Sequence, residues 1–451
     1  MSSANWSKAT QKLYRQRWRI WVIACLAQSV NLFHRAAMAP MADQVMADFG
    51  LSAAVFGSLA AVYFYVYAAM QLPSGILADT IGPRKTITAG LLLSGAGTLV
   101  MSLAPSFGMV YVGRIMVSFG VSVVYLSVLK LVMEWFRRRE LATITGLTNS
   151  LGGLGLIGAS TPLALLIILV GWQMSLVTAG VVTFALAAAI WFIIRDSPAQ
   201  VGLPPMEPKG GAIPQGGASL DSLGFSVTQK LKGVFRNKSL WPLCLLAFGS
   251  YGAYATLFHN WAVVYFMQTY GVQRDLAASF ILIATIGFIV GGPLAGFLSD
   301  RIFQQRRLPA VLFTGITLAS FLLLTLWNGG RPPLGVVYPL SLFAGLGIGA
   351  FPLVFSYIRD IVQPSLRGTA SGLVNASGFV GAALAQPLFG YILDLGWKGE
   401  MMEGARVYPV EAFQNSLLLC CVLAGLGFLG ALLMKKPGRR TVPMSKELAK
   451  V

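Results

Sequence analysis

The sequence predicts an all-α membrane protein: twelve transmembrane helices in two pseudo-symmetric six-helix bundles. Three observations predict it. The 451 residues are 56% hydrophobic and 11% charged, with 50 glycines, the balance of a polytopic membrane chain rather than a soluble enzyme. Hydropathy divides the chain into twelve apolar stretches of about 20 residues or more, each long enough to cross hydrocarbon. Finally, the second half repeats the first.

Charge placement sets the expected orientation. The net charge of +18 would suggest nucleic acid in a soluble protein. Here 27 of the 34 Lys and Arg fall in the N-terminal tail, the C-terminal tail, the central loop and the loops after the second, fourth, eighth and tenth stretches. That is the positive-inside bias, with both termini cytoplasmic. The expected location is a plasma membrane of the bacterial inner-membrane type. Cys25, Cys244, Cys420 and Cys421 all lie in apolar stretches, with no disulfide or metal spacing. The first apolar run carries Asn31, His34 and Arg35 and is followed by many more, so it reads as a retained helix, not a cleaved signal.

In order, the expected spans are 20–42, 53–78, 86–104, 108–135, 141–169 and 173–194, then 241–267, 276–299, 309–328, 334–358, 367–393 and 412–434. The expected domains are therefore an N-terminal bundle, 1–194, a linker, 195–240, and a C-terminal bundle, 241–451. The linker is rich in Pro and Gly in its middle. Residues 222–238 alternate apolar and basic positions and form a candidate surface helix. The repeat supports the division. Leu32-Phe33-His34 recurs as Leu257-Phe258-His259, and Pro162 as Pro387, both 225 residues on; Gly146-Leu147-Thr148-Asn149 recurs as Gly372-Leu373-Val374-Asn375 at 226. Parallel halves of this kind place a substrate between two bundles near mid-membrane.

The first span carries the candidate site. Gln28, Asn31 and Arg35 share one helix face by their spacing, with His34 beside them. An ionisable group inside a membrane helix costs at least ~3 kcal/mol and normally faces a cavity or a partner. Arg35 reads as a cationic group for an anion; the competing reading is a structural arginine snorkelling to a headgroup. Aromatic stripes offer walls: Tyr63, Tyr67 and Gln71 on the second span, and Tyr251, Tyr254, Phe258 and Trp261 on the seventh. Such stripes serve packing or a cavity, and buried Tyr hydroxyls need partners. His259 matches His34 in the repeat, and Asn375 lies on one side of the eleventh span. Lys130 has two readings, contact with the substrate or an i, i+4 ion pair with Glu134.

After the second span comes Gly75-Ile76-Leu77-Ala78-Asp79-Thr80-Ile81-Gly82-Pro83-Arg84-Lys85, a tight basic loop between two closely packed helices. A shorter copy, Gly296-Phe297-Leu298-Ser299-Asp300-Arg301, lies at the corresponding place in the second half. This resembles the signature loop of the major facilitator superfamily, and the resemblance covers nearly the whole chain. It implies a transporter, with this loop as a conformational gate at Asp79, Arg84 and Asp300 rather than a substrate site. Asn31-Leu32-Phe33-His34-Arg35 resembles the anion–cation symporter branch, where an acid often precedes the arginine; here His34 stands in its place. The organophosphate exchangers carry an arginine near the register of Lys130, but their seventh-span arginine has no match between Tyr251 and Tyr265.

No catalytic constellation, metal cluster or nucleotide loop is visible, and no cofactor is expected. The expected activity is secondary transport of a small organic anion, a carboxylate, by alternating access. The energy comes from a coupling ion, with a proton as one candidate, or from a counter-anion. The partners are that solute and the lipid bilayer; no nucleic acid or obligatory protein partner is expected, and a monomer suffices. An exporter of lipophilic solutes with the same fold and a transporter-like membrane sensor are the alternatives. Cation exporters usually need a membrane-buried acid, and all 16 Asp and Glu lie at or beyond predicted helix ends.

Overall fold

The computed structural model describes residues 3–137, 140–203, 234–362, 366–402 and 405–435. Nearly all of it is helical, as a lipid solvent demands, because hydrocarbon offers no partner to an open N–H or C=O. The first half holds α1 (Ser3–Ala36), a short α2 (Ala42–Asp48), α3 (Ala53–Thr80), α4 (Pro83–Ser102), α5 (Phe107–Ser122), α6 (Val124–Trp135), α7 (Leu141–Gly158) and α8 (Thr161–Ile193). The second half holds α9 (Trp241–Thr256), a π turn (Leu257–Trp261), α10 (Ala262–Tyr270), α11 (Arg274–Phe297), α12 (Arg307–Leu326), α13 (Leu334–Gly347), α14 (Ala350–Ile361), α15 (Arg367–Leu395) and α16 (Val410–Leu433). A two-stranded hairpin, β1 (Met401–Met402) with β2 (Ala405–Arg406), joins the last two helices.

Among the described residues, eight helical stretches are long and apolar enough to cross a membrane. One of them, Ile144–Ile193, is 50 residues long and contains Gly171 with φ 78, a left-handed backbone that glycine tolerates at little cost. Exposed Leu169, Phe192 and Val422 on the outer surface suit lipid rather than water. The centre of the predicted linker, and most of the candidate surface helix, lies outside the described residues.

The packing of the two halves differs at the two ends of the helices. At the end carrying Arg84 and Arg306, each half has its own core: Leu91, Val128 and Trp135 in the first, Phe313, Val354 and Tyr357 in the second. At the opposite end a single core runs through both, from Met41 and Phe56 to Trp261 and Phe389. The halves are thus clasped at one end and separate at the other. Glycines permit the clasp. A Cβ on Gly57 of α3 would stand 2.5 Å from the Gln386 carbonyl oxygen of α15, so the two backbones touch only because it is absent.

Polar bridges reinforce this closed end. Asp394 of α15 accepts hydrogen bonds from the Ala53 and Ala54 N–H groups at 3.0 and 2.8 Å, capping the N-terminus of α3 across the seam, where the helix dipole favours a carboxylate. Arg406 and the Tyr408 hydroxyl hold Asp394 from its own half. Arg274 grips both Asp43 oxygens at 2.6 Å and also donates to the Pro40 carbonyl.

Candidate anion-binding site

A chain of side-chain hydrogen bonds starts on α1 and fixes Arg35. The Asn31 amide donates to Gln28 Oε1 at 3.2 Å. The Tyr63 hydroxyl donates to Asn31 Oδ1 at 3.0 Å and accepts from Arg35 Nε at 3.4 Å. Arg35 Nη1 reaches across the seam to the Tyr251 hydroxyl of α9 at 3.3 Å. Tyr67 and Phe379 lie 5.3 and 5.4 Å from the guanidinium carbon, within cation–π range. Asn31 and Tyr63 are fully buried, whereas Arg35 is half-buried. So the face Gln28-Asn31-Arg35 aims one cation at the seam, and the aromatic stripe of α3 forms its wall.

Arg35 has no ion pair among the described residues. Several acids are committed near helix ends: Asp43 to Arg274, Asp48 to Trp172 and Gln173, Glu140 to Arg17, and Asp300 and Asp360 to Arg306. Among the described residues the Nη2 edge of Arg35 makes no hydrogen bond, which leaves donors free for a carboxylate. The second guanidinium nearby, Arg114, is enclosed behind Tyr63, 5.2 Å from its ring, and donates to the His34 carbonyl at 2.9 Å.

The remaining expected residues are scattered. His34 does not join Arg35. One helical step turns it into the first half, where it is buried with Nε2 3.3 Å from the Thr183 hydroxyl of α8. His259 is nearer the seam, its ring 6.2 Å from Tyr251 and 5.4 Å from Tyr254. Tyr254 stacks on Phe288 at 5.9 Å, and Phe258 packs against Phe321 at 6.4 Å. Trp261 donates to the Gln386 carbonyl and stacks on Phe389, so it closes the seam rather than lining an open space. Gln71 and Asn375 are half-buried. Lys130 Nζ donates to the Ala78 carbonyl at 2.9 Å; Ala78 lies fifteen residues beyond Tyr63, roughly 22 Å along α3, so Lys130 stands well away from Arg35.

The expected gate lies at the open end. Of Asp79 the backbone is described, and its side chain lies outside the described residues. Arg84 donates its N–H to Asp196 at 2.6 Å and its Nε to the Trp191 carbonyl at 2.8 Å. Asp300 pairs with Arg306, which stands 3.8 Å from Asp360. The described contacts of Arg84 and Asp300 stay within one half. Sequence reasoning did not single out Phe379, although it follows Asn375 at i, i+4. It also missed Asn260 and the cross-seam partners Asp394 and Asp43. Those pairs join residues more than 230 positions apart, and no local pattern marks them.

Comparison with known proteins agrees with this architecture. Residues 24–386 match the profile of the Major Facilitator Superfamily. The chain is 26% identical to a protein of Cupriavidus necator named "Probable sulfoacetate transporter SauU", over 84% of this chain and 88% of that one. It is equally 26% identical to an Escherichia coli protein named "Probable galactarate/D-glucarate transporter GarP", with the same coverage. The fold matches the crystal structure of a bacterial homolog of the human lysosomal transporter Spinster with a TM-score of 0.69 at 18% identity, covering 92% of this chain and 97% of that one. The chain is an integral membrane protein, and it belongs to the major facilitator superfamily.

Proposed function

We propose that this chain is a secondary transporter that moves a small organic anion, a carboxylate, by alternating access, with Arg35 as its anion-binding group. One observation carries the reading: a half-buried guanidinium at the seam of the two bundles, held by Tyr63 and Tyr251, with one edge free and no acid beside it. An unpaired interior charge is expensive and marks a ligand path. The organic anions in the names of the two relatives support it. Twelve passes follow if the Gly171 break divides Ile144–Ile193 into two spans, and α1, α4 and α9–α10 also cross. With the basic loops inside, as the charge bias favours, both termini are cytoplasmic in a bacterial inner membrane and the clasped end faces out.

Exchange of one anion for another is the energy source the site favours. An empty site would have to close over an unneutralised guanidinium, which costs several kcal/mol. A bound carboxylate removes that cost, so crossing is fastest when the site is occupied. The test begins with a thermal-shift screen of the purified protein against carboxylates, since a ligand of the folded state raises its apparent stability. The best-protecting acid is then followed as labelled uptake into proteoliposomes. Preloading with unlabelled acid is expected to accelerate uptake at least tenfold. An imposed pH gradient is expected to have little effect, and His34→Gln should retain exchange. Uptake into unloaded vesicles that a pH gradient drives, and that His34→Gln abolishes, would establish proton symport instead.

We assign gating, not binding, to Asp79, Arg84 and Asp300. Arg84→Ala is expected to slow exchange several-fold and leave equilibrium affinity within about twofold, because the loop is a helix length from Arg35. A collapse of affinity in a folded Arg84→Ala protein would refute the assignment.

A further inference from the structure

The π turn Leu257–Trp261 and the stretch of α15 packed against it hold a set of buried polar groups without partners among the described residues. His259 Nδ1, both amide atoms of Asn260 and Gln386 Oε1 have no hydrogen-bond partner among the described residues. All three residues are at least nine-tenths buried. His259 and Asn260 are neighbours on the turn, and Gln386 of α15 packs against it: the Gln386 amide nitrogen lies 3.5 Å from the Ala255 carbonyl, just before the turn, and its backbone carbonyl accepts from Trp261 at the end of it. A buried orphan polar atom costs roughly 1–3 kcal/mol, and π turns inside α-helices occur frequently at functional sites. This one packs against Ala39–Met41, just beyond the end of α1, and against α1 itself, and its His259 ring stands 6.2 Å from that of Tyr251, the hydroxyl of which accepts from Arg35. It also lies on the seam, where Gly57 of α3 closes over Gln386, so reorientation of the halves uncovers it.

We propose that His259, Asn260 and Gln386 form the second part of the binding site and read neutral hydrogen-bonding groups, hydroxyls, on the anion that Arg35 holds. This rests on the assignment of Arg35. Charge decides between a hydroxyl and a second carboxylate. Arg114 is enclosed behind Tyr63, Lys130 is roughly 22 Å along α3, and Arg274 and Arg406 are paired with Asp43 and Asp394, so Arg35 is the one half-buried cation at this seam with no acid partner among the described residues. A second carboxylate would meet an amide and an imidazole with no cation beside them. A hydroxyl, both donor and acceptor, satisfies the Asn260 and Gln386 amides and the imidazole alike. The substrate class is therefore a polyhydroxylated monocarboxylate rather than a dicarboxylate or a plain fatty acid.

Three six-carbon acids test this in the purified full-length protein: gluconate, glucarate and hexanoate, by thermal shift and by competition in proteoliposome exchange. Wild type is expected to prefer gluconate over each of the others by about tenfold or more, because a site built for hydroxyls strongly disfavours analogues without them. Asn260→Leu removes two orphan atoms at similar volume. It should leave the melting temperature of the empty protein equal or higher, and erase the preference for gluconate over hexanoate. His259→Phe provides a second variant with the same expected loss. If gluconate has no advantage in wild type, or keeps it in both variants, the hydroxyl site is refuted while Arg35 stands. If no acid shifts the wild type at all, the carboxylate assignment falls and this inference with it.

Discussion

Arg35→Ala is expected to abolish carboxylate-induced stabilisation and exchange, and yet to yield a protein that folds at least as well as the wild type. The two effects have one cause. Removing one member of a desolvated charge pair costs a bound complex about 2–5 kcal/mol, so affinity should fall by roughly 30- to 5000-fold, beyond detection for an ordinary substrate. In the empty protein the same guanidinium is half-buried with only the Tyr63 and Tyr251 hydroxyls, ring faces and no acid around it. Deleting it leaves no opposite charge stranded and removes a desolvation penalty. Arg35→Lys separates charge from geometry. It keeps a point charge, loses the planar fork and cannot bridge both tyrosines, so it should retain weak binding. Melting temperature, measured with and without the acid, reads both effects at once. A structural arginine would behave oppositely: Arg35→Ala would lower the melting temperature and leave the ligand-induced shift unchanged.

Much of this was legible in the sequence because lipid imposes strict rules. Helix is the affordable backbone for most spans, and the basic loops mark one side. The Gln28-Asn31-Arg35 face followed from helical spacing alone, and the hydrogen bonds from Gln28 through Asn31 and Tyr63 realise it. Periodicity could not decide which aromatic rings of a stripe face the seam. Tyr63 and Tyr67 wall the cation, whereas Phe258 packs among core rings and Trp261 seals the seam. Nor could repeat symmetry place the histidines. His34 and His259 occupy matching positions, but a π turn shifts the register of one helix, and its counterpart stretch in α1 is regular. Such a turn has no signature as plain as a proline. The bridges across the closed end depend on tertiary pairing and lie outside any local pattern.

Those bridges yield the second large effect. Opening the clasped end must break two contacts between the halves, and both engage charged groups that are mostly shielded from water. Asp394 is 16% exposed and Arg274 8%, so solvent screens them less than a surface pair. Hydrogen bonds to charged groups contribute about 1.5–3 kcal/mol each. Losing one bridge should therefore shift the balance between closed and open by roughly ten- to a hundredfold. Losing both approaches the ~5.5 kcal/mol that converts 1:99 into 99:1. Asp394→Asn is the informative single change. Asparagine keeps the shape but offers one acceptor oxygen where Ala53 and Ala54 present two donors, so one N–H faces an NH2 group and the dipole loses its carboxylate. Arg274→Gln removes the other grip without adding bulk. The four native cysteines are buried, which allows spin labels at Leu103→Cys and Met402→Cys, both exposed, one in each half. The label separation should lengthen in each single variant and become predominantly long in the double variant. Exchange should slow as the carrier rests in the open form. A distance distribution identical to that of the parent in the double variant would show that apolar packing between α3 and α15 alone keeps this end shut.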